Sequence, residues 1–163
     1  MTPSPTTLRV DVADLLTHPA ARRPVSLRVP LAGLEGSAAR IATDQPVELD
    51  LVLERVPDGI VVRGTVTARW QAECSSCLRE LEHAVELPVN ELFEPDPLEG
   101  DTYPIEGHEL DLEQLVRDTI LLELPLAPTC GAAGAGPCAD DVPRVDEDTS
   151  PDPRWRVLSE LEL

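Results

Sequence analysis

The sequence predicts an α+β protein: mainly an antiparallel β-sheet, one packed helix at about 111–124 and a short C-terminal helix at about 152–161. Three patterns predict it. Residues 47–56 and 60–70 each alternate apolar and polar side chains, the period of a half-buried strand, and Pro57, Asp58 and Gly59 between them are a turn signal. From Leu78 to Val89 the alternation resumes, with Leu81, His83, Val85 and Leu87 on one face and Glu80, Glu82, Ala84 and Glu86 on the other. Then Leu112, Leu115, Val116, Thr119, Ile120 and Leu124 recur at helical spacing.

The elements follow in chain order. Residues 1–6 are expected to be disordered, and 7–163 to form a single domain. A short strand is expected at 7–10, then a short helix at 11–16 capped by Asp11 and stopped at His18 and Pro19. Residues 25–31 alternate as a strand, and 33–46 are a Gly/Ala-rich loop with Ile41 as its main apolar anchor. After the hairpin and the strand that follows it, 94–102 is an acidic, proline-containing loop, and 103–110 is one last strand. Asp111 and Gln114 open the helix in the manner of a capping box, and Pro125 ends it. Its buried side is Leu112, Leu115, Val116, Thr119 and Ile120, leaving Glu113, Arg117 and Asp118 wet. Residues 139–151 are expected to be mobile. The closing helix has Asp152 as its cap, Pro153 in its first turn and an apolar stripe of Trp155, Leu158 and Leu161.

Composition narrows the class. The only aromatics are Trp70, Phe93, Tyr103 and Trp155, so the core must be built from Val, Leu, Ile and Ala. No apolar run approaches the ~18 residues of a membrane helix, and the first residues lack the basic-then-apolar pattern of a secretory signal. A cytoplasmic location follows as the expectation, and thiols there are normally reduced. All thirteen basic residues are arginine. Residues 1–79 carry nine Arg and nine Asp or Glu; residues 80–163 carry four and twenty-two, so the whole net charge of −18 lies in the second half. Such a surface repels phosphate and suits a basic protein partner better than nucleic acid. Solubility alone is the plainer reading of the same charge.

Four cysteines are the candidate chemistry. Cys74 and Cys77 form a C-x2-C pair between two predicted strands, and Cys130 and Cys138 follow the helix in a small-residue loop. A tight turn aims two sulfurs at one point, and a second pair supplied by the fold completes a tetrahedral zinc site. The alternatives are a redox pair, a disulfide and plain buried thiols. A redox C-x2-C belongs at a helix N-terminus, where the thiol pKa falls, whereas this one joins strands. His18, His83 and His108 fall beside a proline, in a strand and before a capped helix, and read as structural or exposed. The glycines from 131 to 136 are followed by acids and not by lysine, so they are no phosphate loop. No catalytic constellation is present, and the chain reads as a non-enzyme.

The strand, C-x2-C, strand order, the helix from Leu110, Asp111 and Leu112 to Leu124 and Pro125, and the following Pro128-x-Cys130 resemble the YceD-type family of large ribosomal RNA subunit accumulation proteins. The run Asp152, Pro153, Arg154, Trp155 and Leu158 is similar to the end of its actinobacterial members. The resemblance covers about 7–163. It implies a non-enzymatic ribosome biogenesis factor that supports accumulation of 23S rRNA and assembly of the large subunit. It also implies a gene beside that of a small large-subunit ribosomal protein. Many members carry a C-terminal C-x3-C-x3-C-x2-C cluster; Cys130 matches its first position and Cys138 its third, while Gly134 and Asp141 stand at the other two. What remains open is one site shared by Cys74, Cys77, Cys130 and Cys138, holding structural Zn2+, or no metal. Charge and resemblance together point to a basic ribosomal protein, or a pre-ribosomal particle containing one, as the partner. Glu91, Glu94, Asp96, Glu99 and Asp101 would then face it, and no membrane or small-molecule substrate is expected. Direct rRNA binding would fall to Arg22, Arg23 and Arg28. A zinc- or redox-responsive stress protein using the C-x2-C pair is the alternative function.

Overall fold

The structure is a computed structural model and describes residues 8–138. The expected disordered start, the segment 139–151 and the closing helix at 152–161 lie outside the described residues.

The predicted hairpin is the centre of the fold. Strands β4 (Pro46–Val56) and β5 (Gly59–Glu73) pair antiparallel from Glu48↔Thr67 to Val56↔Gly59. The turn is Pro57 and Asp58 alone. Gly59 already belongs to β5, and a Cβ there would overlap the Phe93 carbonyl oxygen of the next strand. Val47, Leu49, Leu51 and Leu53 of β4 are buried, and so are Ile60, Val62, Val66, Ala68 and Trp70 of β5, as period-2 alternation requires. Strand β6 (Glu80–Glu94) returns along the whole of β5, from Glu73↔Glu80 to Ile60↔Phe93. It outruns the alternation seen in the sequence because Glu91 stands in phase with the inward residues Leu87, Val89 and Phe93 and interrupts the apolar signal. Pro88 is tolerated within β6 because the strand has no second neighbour until its last two residues.

At those two residues the sheet departs from the antiparallel expectation. Strand β7 (Tyr103–Glu106) runs parallel to β6, through Phe93↔Tyr103 and Glu94↔Pro104, so the sheet is mixed. The expected single strand at 103–110 is in fact two. Gly107, at φ +66°, and His108 turn the chain back into β8 (Glu109–Asp111), which pairs with β7 and with β1 (Arg9–Asp11). The expected loop at 33–46 contains a short strand, β3 (Ala39–Ile41), with Ala39 and Ile41 both buried against β5. Among the described residues the sheet has eight strands in the order β1-β8-β7-β6-β5-β4-β2, with β2 (Arg22–Pro30) at one end and β3 beside β5 off the main path. Its ends are tied together. Arg23 of β2 donates to Asp14 Oδ1 at 3.0 Å and to the carbonyl of Asp11, the last residue of β1. Asp14 belongs to the short helix α1 (Ala13–Thr17), whose first N–H is capped by Asp11 at 2.8 Å.

Helix α2 (Leu112–Glu123) packs on β5, β6 and β1 through Leu112, Leu115, Val116 and Ile120. Asp111 caps it by accepting from the Glu113 N–H at 2.9 Å. The reciprocal half of a capping box is absent: Gln114 donates to Asp118 Oδ1 at 2.7 Å instead. Thr119 is half-buried, its hydroxyl donating to the Leu115 carbonyl at 2.8 Å. Glu113, Arg117 and Asp118 are half-buried and not fully wet. Arg117 pairs with Glu113 at 2.7 Å and donates to the Ala32 carbonyl, and Asp118 accepts from the Tyr103 hydroxyl at 3.0 Å. Among the described residues no helix is long and apolar enough to cross a membrane.

Candidate metal centre

The C-x2-C pair occupies the turn between β5 and β6, as its strand-like flanks suggest. Cys74 donates its N–H to the Arg79 carbonyl at 2.8 Å, and its own carbonyl accepts from Leu78, which takes the left-handed φ of +59° that closes the turn. The second pair is delivered by the segment after α2. The Ser75 N–H and hydroxyl both donate to the Pro128 carbonyl, at 2.8 and 2.6 Å, fixing that segment two residues short of Cys130. Residues 129–135 then wind on themselves: Ala133 donates to the Thr129 carbonyl and Ala135 to the Cys130 carbonyl. Arg79 reaches across to the Ala135 carbonyl at 3.5 Å.

These contacts bring all four predicted cysteines together. Their sulfurs lie within 4.8 Å of one another, with Cys74 to Cys138 at 3.7 Å and Cys77 to Cys130 at 3.5 Å. A disulfide needs about 2.05 Å, so the thiols are free. A tetrahedral zinc with Zn–S bonds of about 2.3 Å spaces its sulfurs by about 3.8 Å, close to both contacts. Cys74 and Cys130 are buried, and Cys77 and Cys138 are half-buried. Gly134 is not part of the cluster; at φ +70° it serves the turn of the loop. Asp141 lies outside the described residues.

The electrostatics fit a site that wants a cation. The amides of Cys77 and Ser76 point at the Cys74 sulfur and pull its pKa down to about 6. Burial, with the neighbouring Cys77 and Cys74, pushes Cys130 up to about 12. Cys138 is also raised, by Cys74 and Cys77 before burial. One anion is welcome in this space and its neighbours are held as thiols, because like charges so close cannot all ionise. A divalent ion reverses that logic and stabilises all four thiolates. Cys74 owes its low pKa to turn amides and not to a helix N-terminus. The histidines stay apart: His18 and His108 are exposed, and His83 lies against Trp70 at 5.6 Å.

A sequence model described as "Large ribosomal RNA subunit accumulation protein YceD" matches residues 62–162, from near the start of β5 through the cysteine cluster. The chain belongs to this family. Relatives in mycobacteria agree with an actinobacterial-like YceD protein. Proteins of Mycobacterium bovis and Mycobacterium tuberculosis, each called uncharacterized, are 36% identical to it over 135 residues, covering 74% of this chain and 65% of theirs. An uncharacterized protein of Mycobacterium leprae is 33% identical over 163 aligned residues, 88% of this chain and 74% of its own. The chain thus spans just under two thirds of the length of the first two. No solved structure matches it.

The structure also locates the arginines proposed for RNA. Arg22 pairs with Glu54 at 2.8 Å, Arg23 with Asp14 at 3.0 Å and Arg28 with Glu48 at 3.3 Å. Arg63 and Arg69 pair with Glu54 and Glu82 across the same sheet surface, and Arg9 with Glu106, Glu109 and Asp111. Six of the nine first-half arginines thus meet carboxylates, mostly across neighbouring strands and some from the second half of the chain, which sequence counts do not reveal.

Proposed function

We propose that this YceD-family chain is a non-enzymatic cytoplasmic factor that supports accumulation of 23S rRNA and assembly of the large ribosomal subunit by holding a basic ribosomal protein. Membership of a family named for large ribosomal RNA subunit accumulation carries the ribosomal part of this reading. The arginine pairing supports the choice of a protein partner over RNA: a guanidinium already engaged by a carboxylate offers little to phosphate, and few counterions would be released on contact. The acids that make no ion pair among the described residues, mostly after residue 79, can stand in for phosphates until the partner meets RNA. The test is affinity purification of the full chain from cells, with bound proteins and RNA identified. A basic large-subunit protein recovered in a salt-sensitive complex is the expected result. Tight binding of free 23S rRNA at physiological salt, with no ribosomal protein, would refute it.

In the same reading Cys74, Cys77, Cys130 and Cys138 hold one structural Zn2+, which fastens the segment after α2 to the β5–β6 turn. The sulfur spacing and the closed, four-thiol donor set support this. Protein purified without chelator should contain about one zinc per chain. Markedly substoichiometric metal with four freely titrating thiols would count against it.

A further inference from the structure

Beside the knuckle, between residues 35–38 and residues 126–128, lies a groove of about 900 Å³. Among the described residues Glu35, Glu73, Glu80 and Glu82 line it against a single cation, Arg40. Glu82 is partly answered by Arg69 at 3.3 Å, but Glu73 and Glu80 make no ion pair among the described residues. They are also register partners, directly opposite each other at the end of the β5–β6 ladder. Like charges so placed destabilise a sheet, so this pair does not serve the fold. Two leucines line the same groove and are largely exposed, Leu78 at 72% and Leu126 at 82%. Leu78 is held there by its left-handed backbone at the knuckle, and Leu126 by the segment anchored on Ser75. Carboxylates without counterions beside apolar side chains without cover are complementary to a chain that is cationic and apolar at once.

We propose that this groove docks an extended segment of the basic protein partner, with its arginine or lysine side chains on Glu73 and Glu80 and an apolar side chain against Leu78 and Leu126. The assignment rests on the proposed function and gives it a place on the molecule. It also gives the cysteine cluster a role beyond stability, since Cys74, Ser75 and Pro128 belong to the groove wall and the cluster fixes their spacing. The acidic loop at the far end of β6 would then act on encounter and not on the final contact.

The test uses the full chain and a short fluorescent peptide of alternating arginine and leucine, with an arginine–serine peptide as control. Fluorescence anisotropy should give binding that weakens at least about tenfold in E73Q/E80Q, in L78S/L126S and for the control peptide. In D96N/E99Q/D101N affinity should fall only by the several-fold loss in association rate, with dissociation of the peptide unchanged. Because Glu73 and Glu80 repel each other, E73Q/E80Q should melt no lower than the parent, so lost binding cannot be lost folding. Equal affinity across all variants, or for both peptides, overturns the assignment. So does an R154Q/R156Q chain that binds the peptide about tenfold tighter, since the groove would then belong to the chain's own closing segment. Capture of purified large-subunit proteins separates the two readings. If the E73Q/E80Q chain captures a basic protein as well as the parent does, the groove assignment fails and the proposed function stands. If the parent captures none, the proposed function fails.

Discussion

Gly64 sits in mid-strand at φ +149°, with the Asp50 carbonyl of β4 where a Cβ would project. Only a residue without a side chain permits that approach. Gly64→Ala should therefore cost at least about 2 kcal/mol in urea denaturation, since strained backbone alone costs ~1–3 kcal/mol. Gly131→Ala, in open space, should stay within about 0.5 kcal/mol. Equal costs at the two positions would mean that the close approach is not what fixes glycine at 64. Among the cysteines, pH is the sharper probe. Without metal, Cys130 and Cys138 hold their protons more tightly than an ordinary thiol, so zinc must displace protons to bind. Occupancy should fall as pH drops from about 7.5 to about 5.5, followed by transfer of zinc to a chromogenic chelator. A flat profile would argue against thiolate ligation.

At the scale of elements, the β4–β5 hairpin and α2 hold the core between them. Leu51, 2% exposed, lies in the middle of β4 and faces inward with Leu49 and Leu53. Leu51→Ala should cost on the order of 2–5 kcal/mol, and a loss under about 0.5 kcal/mol would show that the face is not buried in solution. Ile120, 1% exposed, is the corresponding anchor on α2. Ile120→Asp places an unpaired carboxylate in the hydrophobic core and should unfold the protein, read by loss of the cooperative thermal transition. Strands β4, β5 and β6 and helix α2 were legible because each is long enough to show its period. Strand β3 was not, because three residues show no period, and β7 and β8 merged because the Gly107 turn is too short to break the apolar pattern. The missing reciprocal bond of the capping box has a local cause: Gln114 finds Asp118 one turn ahead on its own helix.

For the whole molecule, charge is arranged by position along β6. One end carries the groove beside the cysteines, and the other carries the loop at 95–102, with Asp96, Glu99 and Asp101 exposed. Glu94 belongs to the loop's architecture, accepting from the Thr102 hydroxyl at 2.7 Å, and Glu91 is half-buried, so neither is a free rim charge. Neutralising Asp96, Glu99 and Asp101 together should slow association with the basic partner several-fold and leave dissociation nearly unchanged, because exposed charges steer encounter over a Debye length of about 8 Å. Stopped-flow or surface-binding kinetics at two salt concentrations would separate the two rates. A change confined to dissociation would place the loop in the docked contact.

The sequence by itself determined that this is a sheet protein with a packed helix, which faces of β4, β5 and α2 are buried, and which four cysteines form the candidate site. Those properties follow from the period of one strand or one helix and from the geometry of one turn, all of which are local. The tertiary structure alone decided that the two cysteine pairs meet, because that depends on Ser75 holding the Pro128 carbonyl across 53 positions of chain. It decided that β7 joins β6 in parallel, since a two-pair contact leaves no periodic trace. It also decided that most of the first-half arginines meet carboxylates, largely across neighbouring strands, because such a partner is set by register and not by composition.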